Sequence, residues 1–133
     1  MTDPSRILNP DSYVHINSAD VPLRTSVSVE GQARPGLGEL MLRTLMIGND
    51  VMMLDARRKK GQIDPEHTHD DHEAVGYLIS GKMRLVIDGK EFIATPGSVW
   101  HHARGVPHWT EALEDSHQIE VKTPPRKTWV TKP

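Results

Sequence analysis

The chain has 133 residues, the size of one domain that buries about two-thirds of its unfolded surface. A formal net charge of −2 gives no electrostatic case for nucleic acid or an anionic membrane surface. The absence of cysteine excludes disulfides and thiolate metal sites, and leaves imidazole and carboxylate as the candidate ligands.

No apolar run approaches the roughly 20 residues of a spanning helix. The opening MTDPSRILNP lacks the apolar core of a signal peptide, so a cytoplasmic protein is expected. Residues 1–20 are turn-rich without a sustained period, which predicts an irregular arm ending in a short strand near Tyr13–Ile16. Val21–Val29 alternates valine with serine and reads as a strand. EGQARPGLG, with three glycines and a proline, reads as a loop. Leu40–Ile47 and Val51–Arg58 are predicted strands separated by Gly48-Asn49-Asp50; both are short for helices and the turn between them is tight. The basic run from Arg57 to Lys60 reads as a solvated strand end.

Further on, Ala74–Ser80 is a short apolar run closed by Gly81. Lys82–Asp88 alternates Met83, Leu85 and Ile87 with polar residues, a half-buried strand. Asp88-Gly89 is a two-residue hairpin signal leading to Glu91–Ala94. Strands are also predicted at Val99–His102, Trp109–Leu113 and Gln118–Lys122, and TPPRKTWVTKP is expected to lie along the surface. Short strands, frequent turns and no helical period argue an all-β antiparallel barrel or sandwich.

Most of the eight histidines cluster between His67 and His108. His67 and His69 flank one residue, so on an extended strand both face the same way and can share a metal ion. A histidine from another strand would complete a three-nitrogen face. His101 and His102 are adjacent and face opposite sides, so one is expected to line the interior. His15 and His117 are expected at the surface. Gln118, Glu120 and Lys122 occupy one face of their strand and Ile119 and Val121 the other; whether the polar face meets solvent or a cavity is open from these residues alone.

GQIDPEHTHDDHEAVGYLISG and PGSVWHHARGVPH together resemble the two motifs of the cupin superfamily. The resemblance covers roughly Leu40–Arg126 and implies a jelly-roll-like antiparallel β-barrel over residues 21–126, an arm over 1–20 and a tail over 127–133. It implies a divalent transition metal (zinc, iron, nickel or manganese) held by His67, His69 and His108. The carboxylate ligand of the first motif stands seven positions before a closing glycine. Counted back from Gly81, that position is Ala74. Glu73 sits one residue earlier, with the parity that faces away from the metal. His72 shares the parity of Ala74 and is a candidate fourth ligand, the alternative being a position open to water or substrate, which is the expected state. In the second motif Ser98 and Ala103 replace an aspartate and a proline at turns.

EALEDSHQIEVKTPPR resembles the end of the pectin-degradation branch, whose members linearise unsaturated uronates. There an acidic residue and an arginine at the cavity mouth act on the substrate, and they map onto Glu120 and Arg126. The aromatic residue two after the acid is Lys122 here. The implied function is metal-assisted proton transfer on an oxygen-rich small molecule, of isomerase, tautomerase, cyclase or lyase type. A three-histidine iron dioxygenase and a non-catalytic ligand-binding cupin are the alternatives. The resemblance also implies a homodimer, formed through sheet edges and an exchanged N-terminal arm.

Overall fold

In the computed structural model, which describes residues 2–33 and 36–132, nearly all regular structure is extended and antiparallel. Twelve strands form: β1 Arg24–Val29, β2 Gln32–Ala33, β3 Leu40–Ile47, β4 Met52–Arg58, β5 Ile63–His67, β6 Glu73–Ser80, β7 Met83–Ile87, β8 Lys90–Ala94, β9 Val99–His102, β10 His108–Ala112, β11 Ser116–Thr123 and β12 Trp129–Thr131. The larger sheet runs β12-β1-β3-β4-β11-β6-β9, with β2 on β1, and the smaller runs β5-β10-β7-β8. The result is a jelly-roll of two sheets rather than a single hydrogen-bonded barrel. Strand β11 inserts between β4 and β6, and β10 between β5 and β7. These two insertions bring the second half of the chain against the first motif.

Local chemistry explains the hairpins. Asp88 and Gly89 both take positive φ (52° and 75°), the type I′ geometry that suits the right-handed twist of β7 and β8. Gly76 faces the Trp100 ring so closely that any Cβ there would collide with it. That lets the indole lie across β6, where it lines the interior cavity. Two apolar clusters flank the space between the sheets: Leu40, Leu42, Met52, Leu54, Ala56 and Trp129 on one side, Leu78, Met83, Leu85 and Ala94 on the other.

Three expectations are corrected. Tyr13–Ile16 is not a strand; the arm instead carries 3-10 turns at Pro4–Arg6 and Ser18–Asp20. The arm is also tied to the sheet, because Asp11 binds the backbone of Ile47 through both its N–H and its carboxylate, and the Ser18 carbonyl accepts from Arg43 at 2.8 Å. The tail does not simply lie on the surface: β12 pairs with β1 and buries Trp129, since an indole recovers more free energy in the core than at the surface. Arg58 is not a solvated strand end. It is buried and bound to Gln62, Asp64 and Gln118 at 2.6–2.9 Å, while Arg57 and Lys59 are exposed. In the predicted loop at Glu30–Gly38, Arg34 and Pro35 lie outside the described residues.

Candidate metal centre

The β5–β10 ladder makes the site. His67 ends β5, His108 begins β10, and the two are register partners although one lies in each motif. Their ring centroids are 4.4 Å apart. His69 lies beyond the end of β5 rather than on it, with its ring 4.8 Å from His67 and 4.9 Å from His108. One nitrogen from each of the three falls within 4.8 Å of the others. His67 is half-buried, and His69 and His108 are buried.

The remaining ring nitrogens set the chemistry. Nδ1 of His67 lies 2.8 Å from the Pro65 carbonyl, Nδ1 of His108 3.0 Å from the Val106 carbonyl, and Nδ1 of His69 3.1 Å from Oε1 of Glu30. Carbonyl and ionised carboxylate oxygens only accept, so each Nδ1 carries a proton and Nε2 is the nitrogen left to face an ion. Metal-binding histidines are oriented by this outer layer of acceptors. Burial, reinforced by the neighbouring imidazoles, lowers the pKa of His67 and takes that of His108 to about 4. Both are therefore neutral, ligand-competent bases at pH 7. Three convergent imidazoles without a thiolate fit a divalent transition metal ion.

Arg6, Glu30 and Asp71 form a second layer that the sequence did not single out. Arg6 reaches Glu30 and Asp71, each at 2.9 Å. Glu30 in turn holds His69, and Asp71 holds Nδ1 of His72 at 2.9 Å. Burial raises the Glu30 pKa, but the His69 and Arg6 contacts outweigh it and hold the carboxyl at about 2. No local signal marks these residues, because their spacing follows from where the arm packs.

His72 is fully buried with its ring 4.4 Å from that of His69, and its Nε2 has no hydrogen-bond partner among the described residues. It lies nonetheless outside the group of three converging nitrogens. Burial is the main cause that takes its pKa to about 4. Glu73 points outward and pairs with exposed His101 at 2.8 Å, as its parity predicts. His102 is the inward member of its pair and stacks on His108 with centroids 3.7 Å apart. His15 is exposed, but His117 is half-buried against Asp55 at 3.0 Å rather than free at the surface.

The polar face of β11 points inward. Gln118, Glu120 and Lys122 line the cavity together with His67, His69, His102 and His108. Gln118 and Lys122 are buried. Burial raises the Glu120 pKa, but Lys122 and the other basic neighbours more than offset it, so the carboxylate is ionised. Lys122 shows the reverse balance: burial lowers its pKa against the opposing pull of Glu120. Arg126 does not line this cavity. It stands in a neighbouring polar cleft with Arg6, Glu30 and Asp71, 3.8 Å from the Asp71 carboxylate. Glu120 lies on β11 and Arg126 beyond its end, and the two line different cavities.

Comparison with known proteins agrees with this geometry. Residues 56–121 match the family described as Cupin domain. The pectin degradation protein KdgF of Dickeya dadantii is 29% identical over 92 residues, covering 68% of this chain and 84% of that protein. Oxalate decarboxylase OxdC of Bacillus subtilis is 33% identical over 86 residues, covering 61% of this chain; the matched part is 22% of that longer protein. Among solved structures, KdgF from Halomonas sp. superposes with a TM-score of 0.71 at 19% identity, covering 85% of this chain and 94% of that one. That likeness is one of fold.

Proposed function

From the premise that this chain is a cupin, near the pectin-degradation branch in its motifs, we propose that it is a metal-dependent enzyme that moves protons on a small oxygen-rich molecule. The observation that carries the reading is the inward polar face of β11, which sets an ionised Glu120 in the same cavity as three converging imidazoles. His67, His69 and His108 would hold the ion through Nε2. When bound, the ion polarises a substrate carbonyl or hydroxyl oxygen and so acidifies the neighbouring C–H or O–H.

The remaining chemistry belongs to the protein. Glu120 accepts that proton and returns it at another atom, as a general base and then a general acid. Glu30 and the two backbone carbonyls hold the rings in place and carry no proton to substrate. Buried Arg58, paired with Asp64, lies at the Gln118 end of the cavity and keeps Gln118 oriented. The expected reaction classes are isomerisation, tautomerisation, cyclisation or lysis of a carbonyl- or carboxylate-bearing metabolite.

A second reading rests on Ala74. With alanine there and Glu73 turned outward, the ligand set is three imidazoles without a carboxylate, a set that also suits ferrous iron and dioxygen. One experiment separates the two. Metal-loaded protein is incubated in deuterated water with an unsaturated uronate, a keto-sugar, a 1,3-diketone and a small 2-oxo acid, and carbon-bound deuterium is read by NMR alongside oxygen uptake. Exchange or rearrangement that falls about 100-fold or more in Glu120→Gln, with metal content unchanged, is the expected result. Oxygen consumption with ferrous iron that is unaffected by Glu120→Gln favours the second reading. No turnover by either measure sinks both.

A further inference from the structure

Lys122 has no role in the proton-transfer reading above, yet it is among the most buried residues of the chain, at 2% exposure. It stands directly opposite Ala74 in the β11–β6 ladder, and Ala74 stands opposite His102 in the β6–β9 ladder. The three therefore form one row across the inner face of the sheet. Nζ donates to Oγ1 of Thr128 at 2.9 Å and lies 5.2 Å from the centre of the Trp129 ring. A hydroxyl and an aromatic face orient an ammonium but do not neutralise it. An ammonium has three donors, and one is used here. Among the described residues no carboxylate lies within 4.0 Å of Nζ; Glu120, two positions away on the same face, acts on it only through space.

Burying a charge without a counter-charge is costly. Its cross-strand neighbour on β6 is Ala74, which offers it no counter-charge. We propose that the partner is supplied by the substrate: Lys122, which lines the cavity, binds a carboxylate of the ligand there, so the cavity accepts compact carboxylates carrying a second oxygen that faces the histidine cluster. The free space inside the cavity is about 40 Å³, room for about three waters at the usual 10–15 Å³ of such volume each, which favours a few-carbon acid over a sugar ring. The placement of the second oxygen rests on the metal-centre reading, whereas the carboxylate contact does not.

The test uses pyruvate, with neutral pyruvamide as the comparator, titrated by calorimetry into wild-type protein and Lys122→Met, each metal-free and nickel-loaded. Wild type is expected to bind pyruvate about tenfold or more tighter than Lys122→Met in both forms, while pyruvamide does not distinguish them. Nickel affinity is expected to be the same in the two proteins. Lys122→Met is expected to melt no lower than wild type, because methionine fills the same space without a charge; a purely structural lysine would not combine that with lost anion binding. Equal pyruvate affinity in the two proteins overturns the proposal, as does equal loss of pyruvamide. A borohydride-trapped pyruvate adduct on Lys122 overturns it too, since the amine would then be a nucleophile. Failure of wild type to take up nickel sinks the metal centre and leaves the metal-free comparison readable. If Lys122→Met does not fold, Thr128→Val keeps the ammonium but removes its anchor; about threefold weaker pyruvate binding is expected, and unchanged binding overturns the proposal.

Discussion

Arg6 and Asp71, 65 residues apart, form a two-pronged ion pair, with Nε 2.9 Å and Nη2 3.0 Å from the two oxygens of one carboxylate. The same guanidinium binds Glu30. An arginine in the N-terminal arm thus holds both carboxylates that orient buried imidazoles, and the arm becomes part of the site it was expected to sit outside.

Arg6→Ala should therefore weaken metal binding although Arg6 touches no candidate ligand. Loss of outer-layer partners lowers metal affinity by about 10–100-fold. Glu30→Gln should act in the same range, because an amide at that position no longer offers His69 a charged acceptor. Metal titration of the apo-protein reads both effects; affinities unchanged in both variants would remove the arm from the site.

Replacing His67 and His69 together with alanine should abolish metal uptake, read by elemental analysis after dialysis. His72→Ala should change metal affinity little, since His72 lies outside the converging group, whereas loss by more than about tenfold would make it a fourth ligand. Ala74→Glu should tighten metal binding by supplying a carboxylate, and slow any reaction that uses the open position.

The metal-free protein should lose stability as pH falls below about 6.5. His72 and His108 have folded pKa values lowered to about 4 and His102 to about 2, in each case mainly by burial. The unfolded chain therefore binds more protons than the folded one between those values and about 6.5, and unfolding is favoured by about 1.4 kcal/mol per pH unit for each imidazole. Thermal melts from pH 7.5 to 4.5 should show this slope, and a bound metal should reduce it by competing with the proton. A melting temperature flat across that range in the apo-protein would contradict the buried neutral state.

We propose a homodimer formed through the outer face of the larger sheet, where Val75, Tyr77, Ile79, Met53 and Val99 are exposed. A contiguous apolar face of this kind marks an association surface. The arm packs on its own chain through Arg6 and Asp11, so the pairing would not need exchanged arms. Light scattering of the wild type should give twice the monomer mass, and Tyr77→Lys should shift it towards monomer. A wild-type monomer at micromolar concentration would end the idea.

The sequence alone determined most of the strands and the turns between them, from Asp88-Gly89 to the alternation in β7, because side-chain period and turn chemistry are local properties; it missed β2 and β12, whose pairing with β1 is set by the fold. It also determined the pairing of His67 and His69 and the position of His108, because both motifs are written in contiguous residues. It could not decide which face of β11 looks inward. Alternation separates Gln118, Glu120 and Lys122 from Ile119 and Val121, but a polar face suits solvent and a polar cavity equally. Insertion of β11 between β4 and β6 decided it, turning the polar side towards the imidazoles. The same holds for Arg6, Glu30 and Asp71, and for Arg126, which the family resemblance sets at the cavity mouth with Glu120 and the fold places in another cleft. Such contacts join residues far apart in the chain, and their geometry exists only once the two sheets have closed on each other.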